Sequence, residues 1–353
     1  MDKNERSSRR EFLRQSSMGL GAGIAGASLS SFRPDAIARP RKLPREVTVV
    51  GIDLVGWPDK TAEIRIKRMM QRMDDIAGLR PDVICLPELF SSMWVSDAKK
   101  LDEYAEDERN GGPVSNLLSA YAKKHSCYVV CPVITKKGRH FYNTSLLIDR
   151  MGKMAGAYHK AHPTKDEILP DQAFRGGGTT PGAIGQSILK TDFGSVGLLI
   201  CYDANWDESW ENYRRQGAEI IFFSSAFPGG RMLNHYALRN NCYIVSATGG
   251  DARVIDMSGN DLDITSEFVR YAWRKINLEK ANVTTWPTRD RLPDVFSKYG
   301  TRLNIKVWDR TDVITIESVD PDLKVADVLK EFDIPTYSDL LKKETEVQRQ
   351  YRL

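Results

Sequence analysis

The spacing of hydrophobic residues along the chain changes between the alternation typical of a strand and the spacing typical of a helix. Residues 46–54 alternate between apolar and polar positions and are rich in valine, which predicts a strand. Residues 60–77 then change to a helical spacing, with apolar side chains on one face and charged side chains on the other. The apolar face is Ala62, Ile66, Met69, Met70, Met73 and Ile76, and the charged face is Arg65, Arg68, Arg72 and Asp75.

Strands and helices continue to alternate through the rest of the chain. Short apolar runs bounded by glycine or proline are typical of buried strands, and longer amphipathic segments are typical of helices. Residues 160–184 are rich in Gly, Pro and Thr, and they predict a long loop. Predicted strands are 82–86, 127–135, 142–149, 153–159, 195–201, 219–224, 242–248 and 312–319, and predicted helices are 113–125, 207–216 and 231–241. This order predicts a layered α/β domain whose sheets are covered by helices.

The first forty residues have the pattern of an export signal. Residues 8–13 (Ser-Arg-Arg-Glu-Phe-Leu) resemble the twin-arginine motif, a Gly/Ala-rich apolar stretch follows, and residues 36–38 (Ala-Ile-Ala) resemble a cleavage site. The apolar stretch is too short and too rich in glycine to span a membrane. We expect residues 1–38 to be a twin-arginine signal peptide, with a disordered basic tail as the alternative. The mature protein is then periplasmic or secreted, without stable membrane insertion.

The remaining chain is predicted to have two parts. Residues 39–310 carry the alternating strands and helices and form the predicted main domain. Residues 311–353 are predicted to be a C-terminal strand followed by a charged helical extension, because one more apolar strand precedes two helical segments in which acidic and basic residues mix. Such a mixture is usually a solvated face, so no chemistry is assigned to it.

Composition excludes several classes of partner and cofactor. The 353 residues include 51 basic and 47 acidic ones, so the net charge is only +4. The basic residues are spread among the acidic ones, and the sequence therefore shows no basic patch of the kind that binds nucleic acid. The five cysteines are odd in number and mostly lie in apolar runs, so we expect buried thiols and no disulfide framework. No cysteine pair or histidine cluster completes a zinc pattern, so we expect no metal.

Three reactive side chains stand at the ends of predicted strands. Glu88 follows Ile84-Cys85-Leu86-Pro87, Lys160 follows the strand 153–159, and Cys201 ends the run Val-Gly-Leu-Leu-Ile. Strand ends in layered α/β folds are where substrate pockets form. Each residue alone has a plainer explanation, namely a solvated turn for the acid or the lysine and a core position for the cysteine.

Together the three segments resemble the nitrilase superfamily of carbon–nitrogen hydrolases. The resemblance rests on the motifs at 86–90 (Leu-Pro-Glu-Leu-Phe), 158–163 (Tyr-His-Lys-Ala-His-Pro) and 197–203 (Gly-Leu-Leu-Ile-Cys-Tyr-Asp), with lesser support from 142–145 and 239–243. The motifs occur in the order of that family and cover roughly residues 46–275. The resemblance implies a four-layer α-β-β-α sandwich that often pairs into homodimers, so we expect a homo-oligomer.

The resemblance also implies a mechanism that the chemistry of the residues supports. A thiol with a pKa of about 8.5 is mostly protonated at neutral pH, so the nucleophile Cys201 needs a base. Glu88 is expected to take that proton and return it to the departing amine. Lys160 is expected to stabilise the thiolate and the oxyanion. The peptide N–H of Tyr202 is a candidate second oxyanion donor, as in nucleophile elbows.

The resemblance and the aromatic residues near the motifs suggest further site residues. The family has a second glutamate that holds the lysine; Glu167 fits the spacing of the nitrilase and aliphatic-amidase branches, and Asp166 is its rival. Of the aromatic residues near the motifs, Trp206 and Phe227 are the best candidates for substrate contacts, although core packing is the commoner role.

The sequence is compatible with several reactions. The Tyr202-Asp203 pair after the cysteine favours cleavage of a small linear amide or N-carbamoyl compound, whereas true nitrilases tend to have Trp-Glu there. The alternatives are a nitrilase that releases ammonia from a nitrile, an acyl transferase, and an inactive binding protein of the same fold. A thiol protease that uses His235 is disfavoured, because that histidine lies in a predicted helix. No cofactor is needed for any of these hydrolytic mechanisms.

Overall fold

The computed structural model describes residues 42–54, 61–93, 101–169 and 177–352. The predicted signal peptide, residues 1–38, lies outside the described residues, so it and the expected export stay predictions. Within the described ranges, no helix is long and apolar enough to cross a bilayer.

The secondary structure follows the alternation predicted from the sequence. The strands are β1 (Glu46–Ile52), β2 (Val83–Cys85), β3 (Tyr128–Lys137), β4 (His140–Ile148), β5 (Met154–His159), β6 (Leu189–Lys190), β7 (Ser195–Ile200), β8 (Ile220–Ser224), β9 (Tyr243–Ala247), β10 (Ala252–Ile255), β11 (Asp261–Ile264), β12 (Tyr271–Asn277), β13 (Lys280–Thr284), β14 (Leu303–Trp308) and β15 (Val313–Ser318). The helices are α1 (Ala62–Asp75), α2 (Leu101–Tyr104), α3 (Pro113–His125), α4 (Lys165–Ile168), α5 (Asp207–Gln216), α6 (Gly230–Asn240), α7 (Thr285–Thr288), α8 (Leu292–Tyr299), α9 (Val325–Glu331) and α10 (Tyr337–Tyr351).

Local sequence explains where the main helices begin and end. The Thr61 hydroxyl caps α1 by accepting a hydrogen bond from the Ile64 N–H at 3.3 Å. Helix α3 begins with Pro113, whose fixed φ suits the first helical position. Helix α5 ends at Gly217, which has a φ of 77° and so takes the left-handed conformation that glycine adopts without strain.

Two six-stranded sheets form the centre of the molecule. The strand order is β12-β1-β2-β3-β4-β5 in one sheet and β11-β10-β9-β8-β7-β6 in the other. Strands β1, β2 and β3 are parallel neighbours, as are β7, β8 and β9. The carboxyl ends of each parallel set therefore lie at one edge of its sheet.

The two sheets pack face to face and helices cover their outer faces. Buried side chains of β1, β2 and β7–β9 share one core, to which α5 and α6 add Trp210 and Tyr236. A second core lies under α1 and α3, where Met73 and Leu118 pack against strands of the first sheet. The predicted α/β fold with two sheets between layers of helices is confirmed. At Gly51 the sheets approach so closely that a Cβ would lie 2.2 Å from the Ser246 carbonyl oxygen.

A third sheet extends the chain beyond these layers. Strands β13, β15 and β14 form it in that order, and α8 and α9 bury Val295 and Val328 against it. The predicted division between residues 310 and 311 falls between the paired strands β14 and β15. That division stays a prediction, as does the homo-oligomer.

The position of one residue in α1, Arg65, differs from the sequence prediction. Arg65 was predicted on the charged outer face, but its side chain is fully buried. Its guanidinium donates a hydrogen bond to the Met93 carbonyl oxygen. This backbone acceptor from a neighbouring segment lowers the cost of burying the cation.

Candidate active site

Strand ends from both sheets meet at one place. Glu88 follows β2 after two residues, and Cys201 directly follows β7. Lys160 directly follows β5, and its N–H donates to the Asn143 carbonyl oxygen on β4 at 2.8 Å. Ala226 follows β8, and its N–H donates to Glu88 Oε2 at 3.0 Å. These four segments surround one cavity, so residues distant in the chain become neighbours.

Cys201 stands on a sharp turn between a strand and a 3₁₀ helix. Its φ of 48° lies in the left-handed region, which a residue with a side chain rarely adopts. Such strain at a strand end is typical of turns that expose a nucleophile. The carboxylate of Asp203 stabilises the turn, because it accepts from the Ile200 N–H at 3.0 Å.

Lys160 is the centre of a buried charge network. Only 2% of its side chain is exposed, and its ammonium donates to Glu88 Oε1 at 2.8 Å. The same ammonium donates to both carboxylate oxygens of Glu167, at 3.0 and 2.8 Å. A buried ammonium with two carboxylate partners is a fixed charge that does not need to reorganise when a nearby atom becomes negative.

Asn143 links the two glutamates. Its amide donates to Glu88 Oε1 at 2.8 Å and to Glu167 Oε1 at 3.0 Å. Both acids therefore share two donors, Asn143 and Lys160, that hold them in one orientation. Glu88 is 1% exposed, and its second oxygen accepts from the Ala226 N–H. Asn143 has no site role in the sequence prediction, although it lies in one of the quoted motifs.

Glu167 belongs to a short helix that the sequence prediction missed. Residues 160–184 were predicted as loop, but α4 forms within them. Thr164 caps this helix: its Oγ1 accepts from the Glu167 N–H at 3.3 Å, and Glu167 Oε2 accepts from the Thr164 N–H at 2.7 Å. This capping box fixes the carboxylate that faces Lys160. Its rival Asp166 makes none of the hydrogen bonds to Lys160.

The charges of the network reinforce each other. Burial opposes ionisation of Lys160, but the charges of Glu88, Cys201 and Glu167 outweigh it and raise the lysine pKa. For Glu167, burial also opposes ionisation, and the charge of Lys160 outweighs it and lowers the pKa. Lys160 and Glu167 therefore form an ion pair across the neutral pH range.

Cys201 is held as a thiol at rest. Burial, followed by the negative charge of Glu88, raises its pKa to about 12, although Lys160 and hydrogen bonds from Ser225 and Ala226 act in the opposite direction. At neutral pH almost none of the sulfur is thiolate. A reaction at this sulfur therefore needs a base to accept the proton, and Glu88 is the neighbouring carboxylate.

This raised pKa predicts the pH dependence of alkylation. Iodoacetamide reacts with thiolate, so the rate at Cys201 is expected to rise about tenfold per pH unit from about pH 6 to about pH 10. An ordinary thiol would level off above a pKa of about 8.5. Peptide mass spectrometry after timed labelling measures the rate. A plateau near neutral pH would contradict the prediction.

The other cysteines provide an internal control for that labelling. Cys201 is 9% exposed, whereas the remaining four are at most 1% exposed and unpaired. They are Cys85, Cys127, Cys131 and Cys242. Alkylation of the folded protein is therefore expected at Cys201 first, and labelling of the other four reports unfolding.

The cavity beside the sulfur has a volume of about 270 Å³. Cys201, Glu88, Lys160 and Glu167 line it together, which brings the four predicted catalytic residues into one site. The other described lining residues are Leu89, Ser92, Met93, Leu101, Tyr104, Ile134, Thr164, Asp166, Thr179 and Ala226. The described lining thus combines charged residues with an apolar cluster that includes Leu89, Leu101 and Ile134.

The three residues predicted to bind substrate are not among the described residues that line the cavity. Tyr202 and Phe227 are 39% and 37% exposed. Trp206 stacks on His162 with ring centroids 4.4 Å apart, and Tyr202 packs against its edge. Their assignment as substrate contacts stays a prediction. The Tyr202 N–H directly follows the sulfur-bearing residue, which keeps it a candidate oxyanion donor.

Asp203 is a buried residue of the motif at 197–203, and the sequence predicts no role in the site for its carboxylate. Its carboxylate accepts from the Tyr158 hydroxyl at 2.8 Å, and from the His162 N–H and ring at 2.8 and 3.0 Å. These bonds join the turn at Cys201 to the segment that follows Lys160. The hydrogen bond to Asp203 also raises the pKa of His162.

The positions of His235 and of the possible metal ligands bear on two other hypotheses, a thiol protease and a metal site. His235 lies on α6 and packs against Tyr236, and it is not among the described residues that line the cavity. In the described ranges, no group of three or more His, Cys, Asp or Glu side chains is arranged to hold a metal ion.

Comparison with known proteins identifies the family. The model of the family described as carbon-nitrogen hydrolase matches residues 47–282. The 2-oxoglutaramate amidase of Bacillus subtilis is 28% identical over 173 residues, which are 47% of this chain and 62% of the relative. The chloroplastic omega-amidase of Arabidopsis thaliana is 26% identical over 212 residues, 58% of this chain and 57% of the relative. The chain thus matches less than two thirds of either relative's length.

A solved structure has the same fold. Nit3 of Saccharomyces cerevisiae, described as a member of branch 10 of the nitrilase superfamily, superposes with a TM-score of 0.56. It is 20% identical, and the match covers 67% of this chain and 91% of that one. With the family model spanning most of the two-sheet region and the Glu-Lys-Cys cavity inside that span, this chain belongs to the carbon–nitrogen hydrolase family.

Proposed function

We propose that the protein hydrolyses a carbon–nitrogen bond of a small linear amide or N-carbamoyl compound through a thioester on Cys201. The observation that carries the proposal is the buried network in which Lys160 joins Glu88 and Glu167 beside the sulfur. It supplies a nucleophile, a base and a fixed cation in one cavity, which is what amide cleavage requires.

The first step forms the bond between sulfur and carbon. As the carbonyl carbon approaches, Glu88 takes the proton from Cys201, and the sulfur electron pair attacks the carbon. The carbonyl oxygen becomes negative. Lys160 and the Tyr202 N–H are the proposed groups that stabilise this oxyanion.

The second step breaks the carbon–nitrogen bond. Glu88 gives its proton to the departing nitrogen, so ammonia or an amine leaves as a neutral molecule. The carbonyl re-forms, and the acyl group remains on Cys201 as a thioester. Glu88 is again a carboxylate at the end of this step, and the Ala226 N–H and Asn143 keep it in place.

The third step returns the enzyme to its starting state. Glu88 takes a proton from a water molecule, whose oxygen attacks the thioester carbon. The carbon–sulfur bond breaks, the acid is released, and the proton passes to the sulfur. Glu167 is assigned a supporting role: with Lys160 and Asn143 it fixes the orientation of Glu88 through all three steps.

Amide cleavage is favoured over nitrile cleavage by two observations. Asp203, the second residue after the sulfur, is fully buried and accepts hydrogen bonds from three different residues, so the Tyr-Asp form of the motif has a defined structural role here. Two relatives also bear amidase names. A catalytically inactive protein of this fold is disfavoured, since the Glu, Lys and Cys are all present and assembled.

A hydrolysis panel tests the proposal. Purified protein is incubated with linear amides (including 2-oxoglutaramate), N-carbamoyl amino acids and aliphatic nitriles, and ammonia release is measured. We expect turnover of amides or N-carbamoyl compounds and, under acid quench, an intact mass increased by the acyl group. Turnover of nitriles alone would replace the proposal with a nitrilase, and absence of turnover for every class would contradict it.

A further inference from the structure

We infer that the substrate carries a neutral or cationic acyl chain rather than an anionic one, and that Asp166 sets this preference. The inference rests on the proposed function and deepens it. It comes from the charges and the apolar surface of the cavity, considered over the described residues that line it.

The described wall of the cavity has an excess of negative charge. Among the described lining residues, three are acidic, Glu88, Asp166 and Glu167, and one is basic, Lys160. That ammonium is already bonded to Glu88 and Glu167. It therefore has little attraction left for a carboxylate on the far end of a substrate, and it is needed at the reacting carbonyl.

Asp166 is the one of these acids outside the network. Glu167, its neighbour on α4, accepts from Lys160, Asn143 and Thr164, and Glu88 accepts from Lys160, Asn143 and Ala226. Asp166 takes part in none of these bonds, is solvent-exposed, and still lines the cavity. We therefore assign its charge an effect on an incoming molecule rather than on the reacting groups.

An apolar part of the wall suits an aliphatic chain. Leu89, Met93, Leu101 and Ile134 pack together there, and burial raises the pKa of Tyr104 to about 12, which keeps its hydroxyl neutral. Apolar side chains favour methylene groups because burial removes both from water. An alkyl chain along this wall that ends in a neutral or cationic group is compatible with both surfaces, whereas a terminal carboxylate meets Asp166.

Three amides of nearly equal length test the inference. They are pentanamide (neutral), 5-aminopentanamide (cationic) and 4-carbamoylbutanoate (anionic). We compare kcat/KM for the three at low ionic strength in the full chain, in D166N and in D166K. Ratios between substrates are taken within each variant, so a common loss of activity from the neighbouring Glu167 cancels. The control is D290N, because Asp290 is a 78% exposed acid outside the described lining of the cavity.

The expected result is a change of selectivity with charge. The unmodified protein is expected to have a kcat/KM for pentanamide or 5-aminopentanamide that is about tenfold or more above that for 4-carbamoylbutanoate. In D166N, the ratio of kcat/KM for the cationic amide to that for the anionic amide is expected to fall about tenfold. In D166K, the anionic amide is expected to become the better substrate of the two. The control should leave the ratio unchanged. A preference of the unmodified protein for the anion, or an unchanged ratio in D166K, would overturn the inference while leaving the proposed hydrolase intact. If no amide or N-carbamoyl compound reacts at all, the proposed function itself fails, and the inference fails with it.

Discussion

Replacing Cys201 with alanine is expected to reduce amide hydrolysis to the background rate, a loss of about 10⁴-fold or more. The variant lacks the cysteine sulfur found among the described residues that line the cavity, and neither Glu88 nor Lys160 can form a thioester in its place. The substitution removes one small side chain from a partly open cavity, so the fold should persist. Ammonia release measures the activity, and circular dichroism with thermal unfolding checks the fold.

The matched control is a second buried thiol. Cys242 lies between α6 and β9, is unpaired, and is not among the described residues that line the cavity. Cys242→Ala should keep activity within a few fold, even if its stability falls somewhat because of the lost packing. Hydrolysis that persists at near-normal rates in Cys201→Ala would remove the proposed mechanism.

Replacing Lys160 with alanine is expected to lower both activity and stability. The change leaves Glu88 and Glu167 buried against each other without a cation, and breaking a buried ion pair in this way costs about 3–5 kcal/mol. Equilibrium urea unfolding at neutral pH measures this loss. An exposed lysine gives the control: Lys275, 58% exposed beside Glu46, should cost less than about 1 kcal/mol when replaced by alanine.

The pH dependence separates this electrostatic effect from lost packing. In the unmodified protein the lowered pKa of Glu167 gives stability that is present above the usual glutamate pKa and is lost as the pH falls through the lowered value. Without Lys160, Glu167 loses the cation that lowers its pKa, so it takes up a proton more readily as the pH falls. The stability difference between the two proteins should therefore be constant at neutral pH and shrink as the pH falls below about 4.5. A difference that stays constant at acid pH as well would indicate packing alone.

The principal residues of the site could be predicted because three motifs occur together in the order of a known family. Glu88, Lys160 and Cys201 each follow an apolar strand, which alone has a plainer explanation, and the family resemblance gave them their roles. The same resemblance implied Glu167, at the spacing that two branches of the family place after the lysine. The capping box of Thr164 and Glu167 is a further signal that the sequence carries for this helix.

Other parts of the site leave no such trace. Asn143 lies within a strand, and only the pairing of β4 with β5 places its amide between two glutamates. The donor from Ala226 is a backbone group, which every residue has. Arg65 was placed on the wrong face because helical periodicity cannot identify a backbone acceptor in a distant segment.

The third sheet shows a similar limit. Strands β13 and β14 were not predicted, because each is short and gains its burial only by pairing with β15 and packing under α8 and α9. The predicted strand at 312–319 was found nearly at its expected bounds. Tertiary packing, rather than local preference, decides such segments.

The resting state of Cys201 has a consequence for oxidative damage. Peroxides attack thiolates far more readily than thiols, and the first product, a sulfenic acid, no longer acts as a nucleophile. Since burial and Glu88 keep the sulfur protonated, an empty enzyme offers oxidants very little of the vulnerable form. In the proposed mechanism Glu88 removes this proton as the substrate carbonyl approaches, so the same proton that delays the chemistry also limits oxidation of the empty site.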